Sequence, residues 1–238
     1  MRRERPTLRA LLVLALILAL CLPGASEPTF NDRFGTAVSQ RVVLYEEDKN
    51  NPHGKQYVGT LFWHTDTIST EQGFVPGFDL AVRAYIEIPE RGLRVIWSFR
   101  RRPPYRSPFS DLAIDILFSV PTDFDGGGIA SVKDVVLKQE EHNRGFALAL
   151  RSAKISNGHF LMPFSMIANG RPSNKKLLDE CGWLDIQMVY TNGKRAILSM
   201  EKGKSGERVF SDIFSDWSIR TPKNQRKRNW DRLGPHWI

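Results

Sequence analysis

The sequence predicts a mainly β fold, an antiparallel β-sandwich of Greek-key or jelly-roll type with one or two short packed helices. Three observations predict it. From residue 40 to about residue 167, apolar residues alternate with polar ones in short runs, the period of a half-buried strand. Clusters of Pro, Gly, Asn and Asp separate the runs, as turns require. The period changes clearly once, near residues 206–217, to that of an amphipathic helix.

Taken in order, residues 40–47 and 55–65 flank the turn-forming stretch 48–54 and read as a hairpin. In residues 79–88, Val82, Ala84, Ile86 and Ile88 share one face, and Arg83, Tyr85 and Glu87 share the other. Residues 89–92 turn the chain into Leu93–Arg101, where Leu93, Val95, Trp97 and Phe99 form one face again, so an antiparallel pair is expected. Residues 111–120 repeat the pattern with Leu112, Ile114, Ile116, Phe118 and Val120 inward. Less regular runs at 132–138, 146–155 and 158–168 add further strands, and 173–180 reads as a short helix. Trp183–Tyr190 and residues 194–201 form a second hairpin around Asn192-Gly193, the favoured two-residue turn. After Ser205-Gly206-Glu207, the residues Val209, Phe210, Ile213, Phe214 and Trp217 fall at helical spacing with Asp212 and Asp216 opposite. A lipocalin-like barrel is the alternative closure of the same strands.

The chain divides into a leader over 1–26, a single domain over 38–218 and a basic tail over 219–238, expected to be disordered. Four arginines and Glu4 precede an unbroken apolar run from Ala10 to Leu22. As a helix these 13 residues rise only about 20 Å, short of the roughly 30 Å hydrocarbon core, which fits a secretory signal better than a permanent span. Gly24 and Ser26 are the small residues expected at its cleavage site. The rival readings are an uncleaved anchor and, through Cys21, a lipoprotein signal.

This leader reshapes the composition. The chain has 34 Lys+Arg against 26 Asp+Glu. Removing the leader's four arginines and one glutamate leaves 30 against 25, a net charge near +5. Residues 220–238 hold six cations and Asp231, again +5, so the domain itself is neutral. Of the two cysteines only Cys181 lies outside the leader, and no internal disulfide is available.

Candidate sites are few. Arg100, Arg101, Arg102 and Arg106 place four guanidinium groups around a proline pair, a donor set suited to phosphate, sulfate or carboxylate. A solvated strand end with its charges paired to neighbours explains the same run. In the tail, Arg226, Lys227, Arg228, Trp230 and Trp237 combine cations with aromatics, as contacts to an anionic membrane surface or a partner do. The run Asp123-Phe124-Asp125-Gly126-Gly127-Gly128 outlines a calcium loop but puts Gly127 at a ligand position, so a glycine turn explains it better. The five histidines lack zinc spacing and no Gly-x-Ser-x-Gly elbow occurs, so neither catalytic residues, metal nor cofactor are expected.

Several stretches, residues 41–48, 54–63, 82–91, 125–132 and 189–210, together resemble an uncharacterised family of exported proteins from rhizobia and related alphaproteobacteria. More distantly, the hairpin and closing helix of residues 184–217 resemble the invasion-associated locus B proteins. That resemblance implies an exported β-sandwich linked to host-cell interaction. The cysteines frequent in that family have no counterpart beyond Cys181, and no functional residue carries over.

The expectation is an exported periplasmic or envelope protein without enzymatic activity, whose surface or tail engages an anionic envelope component, a membrane or a protein partner. The export signal argues against a nucleic-acid partner. The alternatives are a small-ligand binder with a cavity between sheets and, with less support, a hydrolase.

Overall fold

The structure is a computed structural model that describes residues 38–72, 75–102, 112–165 and 174–220. The leader, Arg106 and the tail residues Arg226 to Trp237 lie outside the described residues. Among those described, the chain forms strands β1 (Gln40–Asp48), β2 (Asn51–Gln72), β3 (Val75–Ile88), β4 (Leu93–Arg101), β5 (Leu112–Ser119), β6 (Ile129–Lys138), β7 (Phe146–Ala147), β8 (Ala153–Ser156) and β9 (His159–Pro163). Helix α1 (Asn174–Glu180), strands β10 (Trp183–Tyr190) and β11 (Arg195–Glu201), and helix α2 (Gly203–Arg220) complete it.

The fold is mainly β, as the alternation predicts, but the ladder runs through one antiparallel sheet instead of two. Its strand order is β7-β6-β10-β11-β1-β2-β3-β4-β5-β9-β8. A period of two fixes which face of each strand is buried. It does not fix whether that face meets a second sheet or the far side of its own sheet after curling. Here the two outermost strands, β7 and β8, are consecutive in the chain, which requires the sheet to curl until its edges approach.

Register carries the buried face across the sheet. Leu184 faces Met200, which faces Val42, and Leu44 faces Leu198, which faces Ile186. On the other wing Ala84 faces Trp97 and Trp97 faces Ile116, which faces Phe160. All of these side chains are essentially inaccessible to solvent. Gly59 sits opposite Val42, where a Cβ would collide with the Glu87 carbonyl oxygen and the Ile88 side chain. Its missing side chain lets β2 and β3 approach closely there.

Helix α2 lays its apolar stripe on the curled face. Phe210, Ile213, Phe214 and Trp217 are buried. The Phe210 ring lies 5.7 Å from that of Trp63 and 6.2 Å from that of Trp97, and Trp217 lies 5.4 Å from Phe99. An indole N–H fixes the helix as well, Trp217 Nε1 donating to the Leu80 carbonyl at 3.2 Å, while Trp63 Nε1 on β2 donates to the Glu201 carbonyl at 2.9 Å, at the end of β11. The helix begins at Gly203, earlier than the spacing indicates. The second hairpin turns over three residues, Thr191 to Gly193, not two. Gly193 takes a positive φ of 86°, and Tyr190 N–H donates to the Lys194 carbonyl at 2.9 Å. That is the three-residue loop whose last position favours glycine.

Candidate functional site

The buried ionisable side chains of the described residues form four clusters, the last of them the Arg101–Asp79 pair. At one end of the curl Glu46 is buried and accepts from Tyr190 Oη at 2.8 Å and from Arg91 Nε at 3.0 Å. Arg91 also pairs with Asp125 and lies between the Tyr57 and Phe124 rings, 5.2 and 4.8 Å from their centroids. Burial, and then the Glu46 carboxylate, push the Tyr190 hydroxyl pKa well up. The Arg91 pair holds Asp125 below the usual carboxylate range.

On the opposite face of β6, β10 and β11, Lys138 Nζ lies 2.8 Å from Asp185 Oδ1 and 3.3 Å from Ser199 Oγ, which itself donates to Asp185 at 2.7 Å. A lysine beside a serine is the outline of a nucleophile and its base. Here the serine is fully buried and the lysine is ion-paired, so the trio ties three strands together. Above it, Tyr45 Oη donates to Glu141 at 2.6 Å. Burial and that carboxylate push Tyr45 up to about 12.

The third cluster joins the helices. Lys202 is 2 % exposed and donates to the Leu178 and Asp179 carbonyls at 2.6 and 3.0 Å, satisfying the C-terminal end of α1. Desolvation lowers its pKa.

The arginines singled out in the sequence are placed as follows. Arg100 Nε donates to Asp115 at 2.5 Å. Arg101 turns inward, donating to Asp79 through Nε at 2.9 Å and Nη2 at 2.8 Å, with its guanidinium 5.3 Å from the Trp217 centroid. Arg102 is half-buried. Two of the four are therefore engaged by carboxylates of the domain. Asp125, from the calcium-like run, pairs with Arg91 and, at 3.4 Å, with Lys194. Among the described residues no three His, Cys, Asp or Glu side chains group as metal ligands. Among them, too, no helix is long and apolar enough to cross a membrane. Cys181 is buried, and burial raises its pKa.

The feature that sequence reasoning missed is the seam where the sheet edges meet. β7 pairs with β6, matching Ala147 to Val136, and Leu148 N–H donates to the Val135 carbonyl at 2.8 Å. The same run then changes neighbour. Ser165 N–H donates to Ala149 and Arg151 N–H to Pro163, and β8 pairs with β9. Because backbone groups alternate in direction along a strand, Leu150, Ser152 and Lys154 direct theirs away from β9, toward the first half of β6. Among the described residues no ladder bond joins them to residues 129–134. Instead Lys154 Nζ reaches across and donates to the Ile129 carbonyl at 3.0 Å.

The edges are thus zipped at residues 135–137 and splayed at residues 129–134. At the splayed end lies a cavity of about 730 Å³, lined by residues that include Val120, Gly128, Ile129, Lys154 and Thr191. Every residue of β8 is exposed. Leu117 and Ile155, on this same wing, are 47 % and 55 % exposed, although both are large apolar side chains. The sequence signal was present in the irregular alternation of residues 146–155, which marks a strand that is not buried on one constant face. Comparison with protein families, curated proteins and solved structures gives no match for this chain.

Proposed function

We propose that this protein is an exported, non-enzymatic binding module of the cell envelope, which receives a partner along the splayed seam between β6 and β8. The observation that carries this reading is the pair of strand edges that stand next to one another without a ladder, since an unsatisfied edge is a template for another strand. Exposed Leu117 and Ile155 beside it add apolar surface of the kind a partner covers. The buried charges support a structural role, because each is ion-paired or hydrogen-bonded within the domain. The curled interior is filled by Trp97, Phe99, Phe160 and Phe210, which favours a partner on the surface over a small ligand within. The leader over 1–26 supports export, and the tail cations with Trp230 and Trp237 supply contact to an anionic surface.

Cysteine labelling tests the proposal. The Ile155→Cys and Val58→Cys sites are comparably exposed, at 55 % and 54 % in the unsubstituted protein. In isolated envelopes the first variant should react with a maleimide at least fivefold more slowly than in purified protein, and the second at an unchanged rate. Equal reactivity of the Ile155→Cys variant in both settings contradicts seam docking, and an intact Met1 on the mature protein contradicts cleavage of the leader.

A further inference from the structure

The splayed seam also carries information about its occupant. Resting on the proposal that the seam is a docking site, we infer that it takes an extended segment of a partner protein, rich in Asp or Glu, as an added strand between β6 and β8.

The first argument is hydrogen-bond accounting. Along residues 129–134 and 150–156 the chain presents backbone groups with no ladder partner among the described residues, and an open strand edge is a template for a further strand. The domain supplies a substitute at one point, the Lys154 ammonium on the Ile129 carbonyl. An incoming strand can donate a backbone N–H to that carbonyl instead. Lys154 is then released, and a freed ammonium at a closing interface requires an anion.

The second argument is charge. These two edges hold Lys133, Arg151 and Lys154 against one carboxylate, Asp134. The three cations are exposed, and none forms an ion pair with another described residue. That contrasts with Arg41, Arg83, Arg91, Arg94, Arg100, Arg101 and Lys138, all of which do. Lys133, Arg151 and Lys154 therefore stand as exposed cations without counter-ions on edges that lack a neighbouring strand. Each carboxylate of an added strand facing them gains a charge-assisted contact. The remaining positions of the segment favour β-branched residues, which suit an extended strand.

The test uses the full chain and two nine-residue probes of alternating valine and either glutamate or lysine, at low salt. Binding is read by fluorescence anisotropy and residue-resolved amide exchange. The glutamate probe should bind at least tenfold more tightly than the lysine probe and slow exchange at least tenfold at Leu150, Ser152 and Lys154. Arg151→Glu with Lys154→Glu should invert the preference. Equal binding of both probes with seam protection overturns the acidic occupant and leaves seam docking standing. Protection of the same amides by a concentration-dependent dimer, without probe binding, overturns it in favour of a second copy. Binding of neither probe, with seam amides unprotected at any concentration, overturns both readings.

Discussion

Asp185→Ala should be among the most damaging single substitutions in this domain, although it removes no apolar contact. The Lys138 ammonium and the Asp185 carboxylate are each about nine-tenths removed from water and stand 2.8 Å apart. Ser199 bridges them. Deleting the carboxylate leaves a buried ammonium facing a hydroxyl and the Glu141 carbonyl, neither of which offsets a full charge. Breaking a buried pair in this way costs about 3–5 kcal/mol, a large part of the roughly 5–15 kcal/mol that holds a domain folded. With a urea dependence of about 2 kcal/mol per molar, the unfolding midpoint should fall by about 2 M, followed through the fluorescence of buried Trp97 and Trp217. Lys138→Met combined with Asp185→Leu should recover most of that loss, because the penalty lies in the unpaired charge and not in the missing bond. A drop of less than about 0.5 M for Asp185→Ala, or a double variant as unstable as the single one, would refute the reasoning.

Trp217→Ala should cost about 3–5 kcal/mol, since a large buried ring is lost from the cluster with Phe99 and Phe214; chemical unfolding measures it, and a loss below about 1 kcal/mol contradicts the anchoring of α2. Tyr45 and Tyr190 keep their protons in the folded state above the ordinary tyrosine pKa of 10.0. The folded state then binds more protons than the unfolded one, so their stabilisation is full below pH 10; that of Tyr45 fades as the pH rises through about 12, and that of Tyr190 persists to higher pH. Tyr45→Phe should flatten that decline in unfolding curves taken between pH 9 and 12. Removing residues 221–238 should weaken sedimentation with anionic liposomes at least tenfold while leaving the unfolding midpoint unchanged; unchanged sedimentation removes the tail from the proposal.

Much of the fold was legible because local rules dominate it. The alternation in residues 82–88 and 93–99 sets which side chains face inward, and the structure buries them all on one side. The spacing of Phe210, Ile213, Phe214 and Trp217 likewise gives both the helix and its packed face. Sheet closure was not legible, because curling is a cumulative property of twist over many strands, which no single run records. The long β2–β3 hairpin exceeded expectation for a related reason. Residues 66–72 and 75–78 lack clean alternation, yet they pair continuously from Thr60 and Glu87 outward to Gln72 and Val75. The arginine run shows the limit of composition. Arg101 lies on the inward face of β4 with Val95, Trp97 and Phe99, and period-two counting alone assigns it there. Its carboxylate partner Asp79 lies on another strand, where sequence spacing gives no sign of it. The seam was hidden for the same reason, since it depends on where residues 146–156 change neighbour.

The most direct test of the account is therefore residue-resolved hydrogen exchange along residues 149–156 of the free protein. Arg151, whose N–H is bound to the Pro163 carbonyl at 3.0 Å, should exchange at least a hundredfold more slowly than Ser152 and Lys154, whose amides face the open seam. Equal protection of all three would mean that the sheet closes onto β6, and would contradict an open edge waiting for a partner strand.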